Sequence, residues 1–384
     1  ALDFYDVDSL LSEEERMVRD MVRDWVDEEV IPNIENACRD GLFPDEWRVA
    51  LGEMGVLGAP LKGYGCPGLS YAAYGVICRE LERGDSGLRS FASVQGSLAM
   101  YPIWDFGSEE QKNHYLPKMA SGEWIGCFGL TEPDYGSNPG DMITKAEDKG
   151  DHYLLNGTKN WITNGNSASV YLVIAQTDVE KGHKGINAFI IERGMEGFIV
   201  GAKEDKLGIR GSDTHTLLFN DVKVPKENRI GDDGFGFKFA MKTLSGGRIG
   251  IASQALGIAS GAYEIALAYS KERETFGKPI CEHQIIQFKL SKMALDIEAA
   301  RMLVLKAAWH KDEHMDYGTS GAMAKLMASQ VAMETTVEAV QIHGGYGFVK
   351  EYHVERLMRD AKITQIYEGT SEIQNIVIAR SILK

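Results

Sequence analysis

The period of the hydrophobic pattern changes twice along this chain of 384 residues, and that change restricts the possible folds more than any other feature. Up to about residue 122, apolar residues recur every three or four positions, which places an apolar face on each of several helices. The clearest example is the run Val18, Met21, Val22, Trp25 and Val26, which follows a capping box that begins at Ser12. The first part of the chain, residues 1–122, is therefore predicted to be helical.

Between residues 123 and 233 the pattern is typical of short strands. Four apolar runs, at 153–155, 171–174, 188–191 and 216–219, are separated by turn residues such as Asn-Gly and Asn-Asp. From residue 234 helical spacing returns, in steps of four and three, at Ile286, Leu290, Met293, Ile297, Ala300 and Val304. The sequence thus predicts an α+β protein with an N-terminal helical domain (1–122), a middle β-barrel or sandwich (123–233) and a C-terminal domain like a four-helix bundle (234–384).

Composition restricts the partners. A formal charge of −15 argues against nucleic acid and against an anionic membrane surface. No apolar run is long enough to span a bilayer, so membrane insertion is not expected. The five cysteines are scattered without a CxxC pair, which predicts reduced thiols. No metal site is predicted: His310 and His314 are four apart, but Lys311 stands where a metalloprotease helix has glutamate.

The stretch with the most chemical content is residues 366–374, IYEGTSEIQ, just ahead of an apolar helical tail. Gly369 frees the backbone beside Glu368, and Thr370 or Ser371 can cap the helix that follows. A carboxylate held by such a turn against apolar surroundings has its pKa raised into the range of a general base. The alternative is an ordinary surface glutamate near the end of the chain.

This stretch resembles the catalytic-base segment of the acyl-CoA dehydrogenases, and the resemblance extends in order from Ser12 to Gln374. It implies an FAD-dependent enzyme that removes hydrogen from the α and β carbons of a CoA thioester, with Glu368 as the base. The resemblance also implies that two neighbours of the base, Tyr367 and Gly369, contact the substrate. Thr370 and Glu372 are implied to contact the cofactor. An electron-transferring flavoprotein and a homotetramer are the expected partner and assembly, in the cytoplasm of a bacterium or the mitochondrial matrix of a eukaryote.

Two further segments resemble those that lie along the flavin in this family. Residues 128–138 end a predicted strand in a loop rich in backbone donors and hydroxyls, and residues 161–164 supply an aromatic wall. The implied flavin contacts are Phe128, Leu130, Thr131, Gly136, Ser137, Trp161, Ile162 and Thr163, with Ser137 also reaching toward CoA. On chemistry alone, a plain surface loop and a half-buried sheet tryptophan are the alternatives.

Residues 273–278, followed by Gln284, resemble the family's site for the FAD pyrophosphate and adenosine, which a neighbouring subunit contributes. The implied contacts are Arg273, Thr275, Phe276 and Gln284 and, from a glycine-rich turn, Gln341, Gly344 and Gly345. That turn is not a nucleotide-binding fingerprint, because no predicted strand precedes it. A nicotinamide cofactor is therefore not predicted.

The choice of substrate depends on residues 82–93. Glutaryl-CoA dehydrogenases carry an arginine at the place of Arg89, with a glutamate and a serine at those of Glu82 and Ser93, and arginine suits the carboxylate of a dicarboxylic thioester. Arg248 matches a position that faces CoA and the base. The resemblance predicts oxidative decarboxylation of glutaryl-CoA to crotonyl-CoA.

Three alternatives remain open. Arg89 can simply pair with Asp85 or Glu82 within the protein. The last third of the chain is more similar to the short-chain branch, which makes a butyryl-type acyl-CoA dehydrogenase the alternative enzyme. A catalytically silent flavoprotein is the third, against which Glu368 and the flavin segments count.

Overall fold

A computed structural model describes residues 3–4, 6–34, 41 and 43–384 of the chain. Its N-terminal helices are α1 Glu13–Trp25, α2 Asp45–Glu53, α3 Tyr71–Gly84, α4 Ser86–Ser93, α5 Tyr101–Phe106 and α6 Glu109–Ala120. The predicted capping box is present, since Ser12 accepts from Glu15 N and the Glu15 carboxylate accepts from Ser12 N. A π-helical turn, Val94–Met100, joins α4 to α5. Two short strands, β1 Lys62–Gly63 and β2 Cys66–Pro67, form a hairpin ahead of α3.

The middle of the chain forms one eight-stranded sheet, which confirms the predicted β region. Its strands are β3 Gly126–Gly129, β4 Lys145–Asp148, β5 His152–Thr163, β6 Val170–Gln176, β7 Ile186–Glu192, β8 Phe198–Lys203, β9 Thr214–Pro225 and β10 Arg229–Ile230. The order is β10-β7-β6-β4-β5-β9-β8, with β3 parallel to β6. Every residue of β6 is buried, as expected for a strand covered on both faces.

The last third is helical, as predicted: α7 Gly236–Glu272, α8 Gln284–Asp312, α9 Gly318–His343, α10 Val354–Ala361 and α11 Ser371–Ile382. A hairpin of β11 Glu274–Thr275 and β12 Lys278–Pro279 separates α7 from α8. Many of the buried residues of α7 and α9 are alanine, whose small side chain allows the axes of packed helices to approach closely. Among the residues described, no helix combines the length and apolar character needed to cross a membrane.

Three apolar cores hold these layers together. One joins the N-terminal helices, one face of the sheet and the start of α7, where Phe239 and Ala240 lie. A second lies among the C-terminal helices and the third on the other face of the sheet. Helix α7 therefore passes from the sheet into the helical bundle. The domain boundaries given above stay a prediction.

The cysteines of the described residues, Cys66, Cys78, Cys127 and Cys281, are free thiols, and Cys38 lies outside those residues.

Candidate active site

The stretch around Glu368 forms a sharp turn between a 3-10 turn, Lys362–Gln365, and α11. Glu368 has φ of +51° and Gly369 of +93°, so two successive residues adopt the left-handed region. That conformation is uncommon for a residue other than glycine and marks strain of the kind found at functional sites. Thr370 is the N-cap of α11 and accepts from Ile373 N at 3.4 Å, as one of the two predicted caps.

Two side chains hold this turn from outside it. Lys325 on α9 donates to the carbonyl of Gly369 at 2.6 Å, and Gln374 on α11 donates to the same oxygen at 2.8 Å. Both donors are buried. The turn is therefore fixed through its carbonyl, although the sequence pattern gave no indication that Lys325 reaches it.

The carboxylate of Glu368 rests against helix α7. A Cβ added at Gly247 would lie 2.9 Å from Cδ of Glu368 and closer still to its Oε2. That Oε2 is buried and has no hydrogen-bond partner among the described residues. Burial raises the pKa of Glu368, while the nearby charges of Arg89, Lys325 and Arg248 oppose the rise. A carboxylate so placed is suited to act as a general base.

Arg89 lies on α4 and is 1% exposed. Its Nε donates to Glu82 Oε2 at 3.2 Å, and its Nη2 donates to the Tyr367 hydroxyl at 2.8 Å and to Ser90 Oγ at 3.2 Å. Nη1 is buried and has no partner among the described residues. The ion pair with Glu82 confirms one of the pairings considered above, and it leaves one donor of the guanidinium unused.

Polar side chains continue around this end of the site. Burial raises the pKa of Glu82 to about 7, against the effects of Arg89 and of the hydrogen bond from Ser86. The hydroxyl of Tyr367 also donates to Gln254 on α7. On the neighbouring side, Ser93 Oγ lies 3.1 Å from the hydroxyl of Tyr74. Sequence reasoning missed Gln254 and Tyr74, which sit inside helical patterns that look like ordinary core.

Arg248 and Ser137 differ in their surroundings. The Nε of Arg248 is buried without a partner in the part of the chain described, and burial lowers its pKa while Glu368 and Tyr317 raise it. Arg248 is thus brought near Glu368. Ser137 and Gly136 are exposed in the loop that follows β3, and among the described residues no hydrogen bond joins either of them to Glu368.

The loop after β3 is tied to β5 at the expected flavin surface. Asn160 N donates to Thr131 O at 2.8 Å, and the buried Lys159 donates to Leu130 O at 3.0 Å and to Glu132 Oε1 at 2.7 Å. Between Lys159 and Ile162 the register of β5 shifts, as a β-bulge does, and Trp161 adopts φ of +61° there. Trp161 is 58% exposed, not half-buried, and so offers an open aromatic face.

The other expected flavin contacts fall into two sets. Phe128, Leu130 and Ile162 are buried in the cores, whereas Thr131 and Thr163 are partly buried at the surface of the loop and strand. Thr370 is partly buried and Glu372 exposed at the start of α11.

The expected pyrophosphate and adenosine contacts lie on the β11–β12 hairpin and at the end of α9. Phe276 at the hairpin tip is 97% exposed. The guanidinium carbon of Arg273 lies 5.5 Å from the ring centroid of Tyr346, which connects the hairpin to the glycine-rich turn. Gln284, Gln341, Gly344 and Gly345 are exposed, Thr275 is partly exposed, and a Cβ at either glycine would meet open space. An exposed cation, an exposed aromatic ring and open backbone fit a dinucleotide such as FAD.

The chain matches three family models in succession. The N-terminal domain of acyl-CoA dehydrogenase matches residues 12–123, the middle domain residues 127–222 and the C-terminal domain residues 234–383. A curated relative, the short-chain specific acyl-CoA dehydrogenase of Clostridium acetobutylicum, is 48% identical over 381 residues, which cover 98% of this chain and 100% of the relative.

Solved structures agree. A chain from a study of the electron transferring flavoprotein of Acidaminococcus fermentans is 47% identical, with a TM-score of 0.96 and full coverage of both chains. The glutaryl-CoA dehydrogenase of Mycobacterium smegmatis is 42% identical, with a TM-score of 0.94 over 98% of this chain and 96% of that one. A structure of a glutaryl-CoA dehydrogenase from the same organism in complex with FADH2 is 39% identical, with a TM-score of 0.95 over 99% and 97%. The chain therefore belongs to the acyl-CoA dehydrogenase family and is an FAD-dependent acyl-CoA dehydrogenase.

Proposed function

We propose that this acyl-CoA dehydrogenase oxidises glutaryl-CoA, a short thioester that ends in a carboxylate, with Glu368 as the base. The observation that carries the proposal is the guanidinium of Arg89, which is buried against Tyr367 and whose Nη1 has no acceptor in the described part of the chain. A buried donor without a partner costs free energy, and a carboxylate is the acceptor that a guanidinium binds most strongly. The distal carboxylate of the substrate would supply it.

The chemistry follows from the position of Glu368. Oxidation at Cα–Cβ needs a base for the α-proton, an acceptor for the β-hydride and donors to the thioester oxygen. Bound FAD supplies hydride acceptance, which no side chain provides. Oε2 of Glu368, which is buried and has no hydrogen-bond partner among the residues described, takes the α-proton, and the left-handed turn fixes its position.

Decarboxylation uses the same groups. Once the Cα–Cβ double bond has formed, the distal carboxylate can leave as carbon dioxide, because the thioester stabilises the dienolate that results. Protonated Glu368 then returns its proton at the γ carbon, and the product is crotonyl-CoA. Arg89 would bind the distal carboxylate during oxidation. The carboxylate would leave Arg89 as neutral carbon dioxide, because decarboxylation removes its negative charge.

The second candidate is a short-chain, butyryl-type acyl-CoA dehydrogenase. The comparisons favour it, because the short-chain specific relative is 48% identical and the glutaryl-CoA dehydrogenase 42%. The pairing of Arg89 with Glu82 also gives the guanidinium a structural role. We place glutaryl-CoA first because whole-chain identity is dominated by the scaffold, whereas the acyl end is read by the few side chains around Arg89.

Replacing Arg89 with methionine separates the two candidates. If Arg89 binds the distal carboxylate, Arg89→Met lowers kcat/KM for glutaryl-CoA by about 100-fold or more, since losing one partner of a buried pair costs about 3–5 kcal/mol. Oxidation of butyryl-CoA stays equal or improves, because the pocket becomes more apolar. Steady-state kinetics on both thioesters provide the measurement.

Arg356→Met is the matched control, because Arg356 is a buried arginine that pairs with Asp85 at 3.3 Å. Its loss should lower stability and affect the two substrates alike. Equal losses on both thioesters in Arg89→Met, or a wild-type enzyme that prefers butyryl-CoA, would favour the short-chain candidate.

The assembly is proposed to be a homotetramer in which FAD is shared between subunits. Helix α8 presents an exposed apolar face, formed by Ile285, Phe288, Leu295 and Met302. Large exposed apolar surfaces mark interaction sites, and the fully exposed Phe276 lies on the hairpin just before this helix. A second copy of the chain would cover both.

The electron acceptor is proposed to be an electron-transferring flavoprotein, which the similarity to the chain from the A. fermentans study supports.

The three family-model matches support the proposed division into domains at 1–122, 123–233 and 234–384. The compartment would be the cytoplasm in a bacterium or the mitochondrial matrix in a eukaryote.

A further inference from the structure

Lys325 lies next to the turn that carries Glu368 and Gly369, here called the catalytic turn, and is 1% exposed. Its ammonium donates to the carbonyl of Gly369, the residue directly after Glu368, at 2.6 Å. Within the described part of the chain it forms no ion pair with a carboxylate. Burying an ammonium without a carboxylate partner costs free energy. If Lys325 served only to stabilise the fold, an uncharged side chain would avoid that cost, so its charge needs another explanation.

A backbone carbonyl does not need a cation. The carbonyl of Gly369 already accepts from the amide of Gln374 at 2.8 Å, which satisfies it with a neutral donor. Lys325 and Gln374 both donate to this carbonyl, and Lys325 differs from Gln374 in carrying a positive charge. The acidic groups that act on Lys325 are Glu368 and, at the start of α11, Glu372.

The charges around the base come from three helices. Arg89 faces Glu368 from α4, Arg248 from α7 and Lys325 from α9, while the hydroxyl of Tyr367 comes from the turn itself. Arg89 is paired with Glu82. Of the three cations, Arg89 is bonded to the turn through the Tyr367 hydroxyl and Lys325 through the backbone carbonyl of Gly369. Lys325 therefore links the backbone position of the turn to the charge of the base.

We propose that Lys325 is a positioning residue: its bond to the carbonyl of Gly369 fixes the turn that carries Glu368, and its positive charge stabilises the ionised carboxylate of the base. The proposal rests on the role of Glu368 as base given above. A nearby positive charge favours the ionised form of a carboxylate, and Lys325 acts with Arg89 and Arg248 against the rise in the Glu368 pKa that burial causes. Without Lys325, a larger fraction of Glu368 would be protonated at neutral pH and unable to accept the α-proton.

Single-turnover reduction of the holoenzyme's flavin by glutaryl-CoA or butyryl-CoA, followed across pH, provides the test. In Lys325→Met the midpoint of the rise in rate with pH moves to higher pH, and well below that midpoint the rate falls about 10-fold for each pH unit. Lys325→Arg keeps the wild-type midpoint because it keeps the charge. Gln374→Leu, which removes a neutral donor from the same carbonyl, lowers the rate without moving the midpoint.

A second readout needs no turnover. In infrared spectra of substrate-free holoenzyme, the band of protonated Glu368 is identified by its absence in Glu368→Gln. That band should persist to higher pH in Lys325→Met than in the wild type. Should Lys325→Met fail to fold, Lys325→Gln, which retains a donor but no charge, is expected to show the same shift.

Two outcomes overturn the inference: a midpoint in Lys325→Met or Lys325→Gln that equals that of the wild type, or a shift in Lys325→Arg as large as in Lys325→Met. The underlying assignment fails separately. If Glu368→Gln keeps most of the rate of flavin reduction, Glu368 is not the base, and Lys325 then has no base to position.

Discussion

At the scale of single residues, the position of Glu368, the proposed base, depends on the absence of a side chain at Gly247. Gly247 lies within the 37-residue helix α7, where alanine would favour the helix by about 1 kcal/mol. The space that a methyl group would fill there is taken by the carboxylate of Glu368. Gly247 therefore lowers the stability of helix α7, but it leaves room for the carboxylate of Glu368.

Gly247→Ala is expected to leave the thermal stability equal or slightly higher and to displace the carboxylate of Glu368. A misplacement of about 1 Å costs on the order of 100-fold in rate, so flavin reduction by the substrate should fall by about that factor. Gly246→Ala is the control, because its methyl would meet only the flexible end of Lys311 at 2.9 Å. Stopped-flow flavin reduction and thermal melts measure both variants. Wild-type rates in Gly247→Ala would contradict this account of the site.

At the scale of secondary-structure elements, the proposed flavin surface depends on how β5 is joined to the loop after β3. The pair Lys159–Glu132 is buried, and Glu132 also accepts from Ile143 N at 2.7 Å and Thr144 N at 3.0 Å. Lys159 in turn holds the carbonyl of Leu130. One ion pair thus fixes the loop in front of Trp161.

Lys159→Met should therefore loosen the flavin loop. It leaves Glu132 buried without its cation, at a cost of about 3–5 kcal/mol, and flavin occupancy should fall together with the free energy of unfolding. Lys149→Met removes an exposed pair with Glu147 in the same region and should change stability by less than about 0.5 kcal/mol. The ratio of flavin to protein absorbance and a denaturant titration give the two quantities. Full flavin occupancy in Lys159→Met would show that the loop is held by other means.

The elements themselves could be predicted from local pattern, and the site only in part. The four-and-three spacing from Ile286 to Val304 predicted the helix found at Gln284–Asp312, and the strand runs fall within β5, β6, β7 and β9. Glu368 and Arg89 stood out because of their short motifs. Gly247, Gln254 and Lys325 did not, because their roles come from contacts between helices that are far apart in sequence, which leave no local signal. The bulge that exposes Trp161 likewise depends on the register between β5 and β9.

At the scale of the whole molecule, one chain leaves apolar surface uncovered next to the expected dinucleotide site. The exposed face of α8 begins at Ile285, one residue after Gln284, and the exposed Phe276 and Arg273 lie on the preceding hairpin. If FAD bridges two chains, assembly and cofactor binding are linked, and weakening either one weakens the other.

Two variants test this linkage from opposite sides. Leu295→Lys places a charge in the apolar face of α8, at a residue that is not among the expected FAD contacts. It should lower the oligomer mass and, through it, the flavin occupancy, more so as the protein is diluted. Arg273→Ala removes a charge that is expected to face the FAD phosphates, where each hydrogen bond is worth about 1.5–3 kcal/mol. It should lower flavin occupancy first and oligomer mass with it.

Met17→Lys provides the matched control, since Met17 is an equally exposed apolar residue on α1. It should change neither the oligomer mass nor the flavin content. Light scattering coupled to size exclusion, read at the protein and flavin wavelengths, measures mass and occupancy in one experiment. A dissociated Leu295→Lys enzyme that retains all of its flavin would place the whole FAD site within one chain, and the exposed face of α8 would then serve assembly alone.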